Sequence, residues 1–418
     1  MNPKLLFFNL IFFFAFSELY AQIYGCTDPN ANNFSPGATQ NNGSCTYDPT
    51  FFNPVVFLNL SSQLEETSGL IFYSGGLWSH NDSGGEPEIY KIDTISGQII
   101  QTISVNNATN IDWEDLSQDE NYIYIGDFGN NSGNRQDLKI YRINKEDIPS
   151  SGNANINSEI IEFEYSDQHD FTPAFQNNNF DCEAMICIAD SIYFFSKNWA
   201  NSKTKLYALP KTPGNFIAKL RDSFNAEGLI TGADINLIKN EITLSGYKNQ
   251  VWIPFVWLLF DYYDNDFFSG NKRRIDFPYI ISSQTEGIAY ANNKDVFISA
   301  EKTQTFNQRI YKLNTGIWTN PPHIGIESVL AETIDFEIIP NPVKGKRFKI
   351  EITNLPADEY SIEIYDSLGR KLFIKDYTFK SKKGKTFIKL STRKFKPGIH
   401  FVKLYSGKIY SVKKIIVN

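Results

Sequence analysis

The sequence predicts an all-β chain: a β-propeller, six-bladed or irregular, followed by a small antiparallel β-sandwich. Three observations carry this. Aromatic residues make up 15% of the 418, with 34 Phe and 22 Tyr, and Asn, Gly and Ser recur between short apolar runs. That is the composition of strands joined by tight turns. No long amphipathic helical pattern interrupts the middle of the chain. An acidic segment recurs five times, each time followed by a strand residue at a fixed offset, so one supersecondary unit is used repeatedly.

Residues 1–21 read as a signal peptide. Lys4 precedes an apolar run, Leu5 to Phe16, broken only by Asn9, and Ala21 offers a small residue before Gln22. The run is too short to span a bilayer comfortably. Export to a disulfide-permissive compartment follows, with no transmembrane anchor in the mature chain. Residues 22–49 form a Cys-bracketed, Asn/Asp-rich spacer with almost no apolar content. A Cys26–Cys45 disulfide would staple it. Asp28, Asn30, Asn32, Asn41 and Asn42 offer hard oxygen ligands. The segment resembles short repeats of secreted Bacteroidetes proteins, written with GCTDP and DDGSC. Asn41 and Asn42 replace the usual acidic pair, so a stapled spacer is preferred to a calcium loop.

Residues 50–335 hold the repeats: Glu65–Leu70, Asp112–Leu116, Asp181–Met185, Thr231–Ile235 and Gln284–Ile288. Eight positions after each last residue stand Trp78, Tyr124, Tyr193, Thr243 and Val296. Each opens or lies in a strand, a polar turn follows, and then a second strand, usually with an Ile/Leu-Tyr pair: Ile89-Tyr90, Ile140-Tyr141, Leu206-Tyr207 and Ile310-Tyr311. Spacings of this order suit propeller blades. Five motifs are visible, but the length accommodates six blades at roughly 47 residues each. Phe57-Leu58-Asn59-Leu60 is placed to pair with the end of the region and close the ring. The run of motifs, with Glu66, His80-Asn81-Asp82, Asp112-Trp113-Glu114-Asp115, Asp127, Glu183 and Glu286, resembles a family of secreted bacterial propellers. The resemblance implies the fold and says little of function.

Residues 336–418 carry 19 Lys+Arg against 7 Asp+Glu, a net +12, which leaves −19 for the rest of a chain whose total is −7. Such a sign change marks a domain boundary. Alternating strands such as Phe348–Ile352, Tyr360–Tyr365 and His400–Leu404 predict an antiparallel sandwich. The Pro340-Asn341-Pro342 opening, the Tyr365–Arg370 turn, Pro397–Val402 and the closing Lys413–Val417 resemble the C-terminal sorting domain of type IX secretion cargo. The resemblance implies that the type IX machinery is a partner and that the protein reaches the outer-membrane surface or is released. Aromatic stacking platforms among the basic residues are not evident, which argues against nucleic acid.

If the acidic motifs begin the innermost strands, Glu66, Glu114, Glu183, Asp234 and Glu286 converge at one channel mouth, with Asp82, Asp112, Asp127 and Asp181 nearby and His80 and Asn81 as secondary candidates. Clustered carboxylates repel, and bound Ca²⁺ would relieve this. Carboxylates that accept neighbouring backbone N–H groups would instead hold the ring together, a reading strongest for Asp115. Histidines number four, and only His80 sits beside a repeat strand, as a hydrogen-bonding turn residue more readily than a triad member. Cys182 and Cys187 read as buried free thiols. The expected function is a secreted or cell-surface binding module with a cation site at the mouth and an extracellular ligand. The alternatives are a Ca²⁺-dependent hydrolase of the phytase or lactonase kind and a structural or adhesive surface protein.

Overall fold

The computed structural model describes residues 22–319 and, within 336–417, all but 356–357, 367–370, 380–381, 394 and 407–408. Residues 1–21, read above as a signal peptide, and the 367–370 part of the turn noted above lie outside the described residues. The chain divides into two compact units, Met1–His323 and Ile324–Asn418.

The first unit is a ring of five blades, each built on four antiparallel strands. Blade 1 comprises Thr67–Tyr73, Gly76–Asn81, Glu88–Ile92 and Ile99–Val105. Blade 2 comprises Trp113–Gln118, Tyr122–Asp127, Lys139–Asn144 and Glu159–Tyr165. Blade 3 has Asp181–Ile188, Ser191–Lys197, Thr204–Pro210 and Gly214–Phe224, and blade 4 has Leu229–Asn236, Glu241–Tyr247, Pro254–Phe260 and Asn271–Asp276. Blade 5 takes Thr285–Tyr290, Asp295–Ala300 and Arg309–Asn314 from the end of the region and Val55–Asn59 from its beginning. Leu58 pairs with Ile310 and Val56 with Tyr311, so the N-terminal strand closes the ring as the sequence suggests.

The six-bladed alternative is corrected to five. A count by average blade length fails because the surplus goes into insertions. These include the 128–138, 166–180 and 261–270 connections and a short strand, Ala154–Ile156, laid parallel on the outer edge of blade 1. The irregular alternative fits better: the outer strands of blades 2 and 3 also pair in parallel, Ile161 opposite Gly214, and merge the two blades into one sheet.

Five hydrophobic clusters fill the five seams between adjacent blades. Trp78 and Ile103 meet Trp113 and Ile123; Tyr124 and Phe163 meet Met185 and Phe194; Phe195 and Leu206 meet Leu244 and Phe255. Val256 and Ile275 meet Ile298 and Tyr311, and Phe297 and Leu58 meet Leu70 and Ile92. Successive strand residues point to opposite faces, so Tyr193 and Phe194 serve different seams. This explains why the second strands are near-continuous apolar runs. Cys182 and Cys187 are free thiols buried in the seam of blades 2 and 3.

Cys26 and Cys45 form the disulfide of the N-terminal segment. The segment is fastened to blade 4 rather than free. Asn41 Nδ2 donates to the Asp261 carbonyl at 2.9 Å and to Asn271 Oδ1 at 3.0 Å, and Thr50–Phe51 pairs with Ile275–Asp276. Its oxygens cap local turns: Asp28 accepts from the Asn30 N–H and the Tyr47 hydroxyl, and Asn41 and Asn42 accept from the N–H groups of Gly43 and Ser44.

The second unit contains a three-stranded sheet, Phe336–Ile339, Arg347–Leu355 and Lys382–Ser391, and a four-stranded sheet, Asp358–Asp366, Lys371–Phe379, Gly398–Ser406 and Ile409–Val417. One core from both sheets, including Ile350, Ile388, Ile362 and Val402, makes it the expected sandwich. Lys371–Phe379 is a strand the sequence pattern did not single out.

The inner strands approach so closely that side chains are excluded at set points. A Cβ on Gly69 would lie 2.4 Å from the Leu116 nitrogen, and one on Gly287 would lie 2.4 Å from the Ser68 carbonyl oxygen. Gly69→Ala and Gly287→Ala should each cost about 1–3 kcal/mol or more by overpacking. Gly37→Ala, with nothing within 4 Å, should be neutral in the same denaturant titration.

Candidate functional site

A β-bulge interrupts each inner strand near its start, at the same height in every blade. Pairing jumps from Trp113–Asp127 to Asp115–Gly126, from Cys182–Ser196 to Ala184–Phe195, and from Ile230–Gly246 to Gly232–Ser245. In blades 1 and 5 it jumps between Thr67 and Leu70 and between Thr285 and Ile288. The residues at the bulge are Ser68, Glu114, Glu183, Thr231 and Glu286. Two positions earlier stand Glu66, Asp112, Asp181, Leu229 and Gln284. One residue beyond the partner strand's last pairing before the bulge come Asp82, Phe128, Lys197, Tyr247 and Glu301. The polar members of these three rows gather at one mouth of the channel, because a bulge re-aims the side chain it carries, while Phe128 packs into the seam of blades 2 and 3 and Leu229 is buried.

Around that mouth the structure brings together Asp82, Asp112, Glu114, Asp181, Glu183 and Glu286, six of the residues singled out in the sequence. Carboxylate oxygens of Asp82, Asp112 and Glu114 lie within 4.8 Å of one another, and so do those of Glu114, Asp181 and Glu183. Glu114 belongs to both groups and is 3% exposed. Burial raises its pKa well above the usual carboxylate range, and the charges of Glu183, Asp82, Asp112 and Asp181 add to the effect. Burial and the Asp82 and Asp181 charges push Asp112 up to about 7; burial moves Asp82 to about 6. Asp181 is the best solvated by protein: it accepts from the Asn130 N–H at 2.6 Å, Trp199 Nε1 at 2.7 Å and the Cys182 N–H at 3.1 Å. Glu286 is 3% exposed and its Oε1 has no hydrogen-bond partner among the described residues.

Among the described residues, a buried lysine brings a cation into this cluster. Lys197, 4% exposed, bonds both Glu183 oxygens. Its Nζ lies 4.8 Å from the Trp199 ring centroid and 5.4 Å from that of Tyr247. Burial opposes the ammonium, but Glu183, Tyr247, Glu286 and Asp181 outweigh it and hold the pKa above the ordinary lysine value. Removing one partner of such a pair strands the other charge.

The remaining expectations are redistributed. Glu66 is exposed at the rim, outside the close groups. Asp127 is buried behind Asp112 and ion-paired to Arg135 at 2.9 Å, where it also accepts the Asp112 N–H. His80 is fully buried, bonds the Asn81 carbonyl through Nδ1 at 2.9 Å and packs edge-on against Trp113. Burial lowers it to about 4, so it is neutral, a structural residue. Asn81 donates to the Gln63 carbonyl at 2.8 Å and likewise serves a loop. Asp234 is a correction: it lies deeper, accepting from the Tyr290 and Ile235 N–H groups at 2.7 and 2.8 Å, and ties blade 4 to blade 5. Asp115 does the same between blades 2 and 3 through the Met185 N–H at 2.8 Å. The true equivalent of Glu114 in blade 4 is Thr231. The four-residue turn 237–240 is longer than the two-residue turn 189–190 of blade 3, so a fixed offset slips the register.

Lys197, Tyr247 and Glu301 are not among the candidate site residues singled out in the sequence. Their shared signal is position: each is at or just past the end of a second strand, next to a turn.

Residues 337–418 match the family described as the secretion system C-terminal sorting domain. The protein is thus type IX secretion cargo, directed to the surface or the extracellular space. Among the described residues no helix is long and apolar enough to cross a membrane. No curated protein matches by sequence. Solved structures with a similar fold include an exo-β-1,3-galactanase of Phanerochaete chrysosporium, 12% identical over 87% of this chain and 99% of that one, with a TM-score of 0.41. Another is a β-fructofuranosidase of Bombyx mori, 9% identical over 89% of each chain, TM-score 0.35. A chain of a mitotic checkpoint complex is 12% identical, with 59% of this chain aligned to 63% of that one and a TM-score of 0.29.

Burial raises Asp234 to about 7, so between about pH 4 and 7 the folded chain holds a proton that the unfolded carboxylate has released. The stability this group contributes is full below pH 4 and is lost as pH rises to 7. The melting-temperature difference between wild type and Asp234→Asn should therefore shrink from pH 4 to 7.5.

Proposed function

We propose that this protein is an exported surface propeller that holds a divalent cation, Ca²⁺, at its channel mouth and uses it to bind an extracellular ligand. One observation carries the reading: Asp82, Asp112 and Glu114 converge within 4.8 Å, and Lys197 makes its ion pair with Glu183 rather than with any of these three. Ca²⁺ takes hard oxygens at 2.3–2.6 Å, so ligands on opposite sides of the ion stand about 4.6–5.2 Å apart. The spacing suits such an ion. Glu114 is buried while Asp82 and Asp112 are half-buried, so an ion seated there keeps an open side for water or ligand oxygens. Lys197 pairs with Glu183 on the wall formed by blade 3.

The hydrolase alternative is favoured by a separate observation. Burial raises both Asp181 and Glu114, but Asp181 receives three donors and Lys197's charge that oppose the rise, while neighbouring carboxylates add to the rise of Glu114. Neighbouring carboxyls with environments of this contrast are the raw material of acid/base pairs.

Ca²⁺ at a hundredfold excess over its Kd should stabilise the mature protein by about 2.7 kcal/mol, read as a melting-temperature rise that a chelator reverses. Glu114→Gln should abolish the rise. An unchanged melting curve with no protein-bound metal in elemental analysis would remove the cation site. Hydrolysis of phosphate, lactone or ester substrates that disappears in Glu114→Gln would replace the binding module with the enzyme. Deleting residues 336–418 should leave the protein in the periplasm, as cell fractionation would show.

A further inference from the structure

Across the mouth from the Asp82–Asp112–Glu114 wall, blade 4 presents an aromatic shelf. Tyr247, the residue equivalent to Lys197 and Asp82 in the ring, is buried. The Trp252 indole stacks on it, with centroids 5.7 Å apart and planes 29° from parallel. Trp252 is nevertheless 40% exposed. Its loop is not loose: the Trp252 N–H donates to the Lys248 carbonyl, and the Ser282 N–H donates to the Trp252 carbonyl, both at 2.9 Å. Trp252 and Gln250 have φ values of 49° and 68°, backbone that bulky residues rarely adopt. The second bond ties this loop to the 277–284 connection, which carries the exposed Tyr279 and Ile281. Folding thus holds the large Trp252 ring on Tyr247 at the edge of a charged hollow instead of burying it.

The chemistry beside the shelf selects its ligand. One side chain inward from Tyr247 is the Lys197 ammonium, and around it stand the acceptors Glu183 and Glu286. Glu286 Oε1 is buried and lacks a partner among the described residues. A second organic cation on this shelf would meet the Lys197 charge at close range. An anion would meet the carboxylates. A neutral molecule with a flat apolar face and hydroxyls at its edge satisfies every group: the face covers the indole, and the hydroxyls donate to Glu286 and accept from Lys197. A pyranose is such a molecule, and its vicinal hydroxyls are also oxygen ligands suited to a Ca²⁺ ion on the opposite wall.

We infer that the channel mouth is a saccharide site, with Trp252 on Tyr247 as the stacking platform and Lys197, Glu183 and Glu286 as the polar contacts. The inference rests on the mouth being the binding site proposed above and gives its ligand a chemical class.

The test is affinity electrophoresis of the full mature chain in gels containing β-glucan, galactan, arabinan, xylan, mannan or starch, with Ca²⁺ and with chelator. At least one of these neutral polysaccharides should retard the protein. Trp252→Ala should weaken that retardation about tenfold and Trp252→Phe much less, while both keep the wild-type Ca²⁺ melting shift. That retained shift shows folding and separates this inference from the cation reading. No retardation by any of the six, with the Ca²⁺ shift intact, would overturn the saccharide site and leave the cation site standing. Undiminished retardation of Trp252→Ala, or binding of spermidine at the shelf in its place, would overturn it equally.

Discussion

The structure depends on blades that are buried on both faces. A single four-stranded sheet with apolar residues on both sides is insoluble alone, and each blade here hides one face against each neighbour. Burial at roughly 25 cal/mol per Å² of apolar surface drives the packing, but only a closed ring leaves no face over. Closure is therefore the requirement from which the rest follows. It explains why blade 5 borrows Val55–Asn59 and why the seam of blades 5 and 1 contains Leu58 and Leu60 beside Leu70 and Leu77. It also brings the inner strands together until glycine is needed at Gly69 and Gly287.

That crowding creates the acidic mouth. Five bulges at one height point five side chains at a narrow axis, and three of them are carboxylates. Ser68 and Thr231 occupy the other two positions and bond backbone instead: Ser68 Oγ donates to the Glu114 carbonyl at 2.6 Å and Thr231 Oγ1 to the Thr285 carbonyl at 2.7 Å. Hydroxyls at the bulge tie the ring, and Asp115 and Asp234 do the same one level deeper; in the function proposed above, the bulge carboxylates are the groups left for a ligand.

Much of this was legible in the sequence, and the failures are instructive. Apolar runs and a repeated acidic cluster identified the strands and the closing segment because burial and turn chemistry are local. The Cys26–Cys45 bridge was legible because its segment has no core to offer. Blade number was not, since insertions between strands carry no period. Asp234 was misplaced because register depends on turn length, and one residue of slip moves every side chain to the other face. Lys197 and Glu301 were not singled out because strand pairing brings Lys197 to Glu183 and the meeting of blades 5 and 1 brings Glu301 to Asp82, and neither joins positions through a sequence motif. The stacked Trp252 was hidden because a loop conformation, not a strand pattern, folds it back onto Tyr247.

The borrowed strand has a consequence for how the protein comes to exist. Residues 55–59 find their partners only at 309–312, so some 250 residues separate the two halves of the last blade. A chain that crosses a membrane N-terminus first must keep its leading segment unpaired until nearly the whole propeller has followed. Contacts this distant in sequence are slow to form, and until they do blades 1 and 5 each expose an apolar face. A chain that lacks either Val55–Asn59 or Arg309–Asn314 cannot complete the ring, and its terminal blades keep an apolar face uncovered.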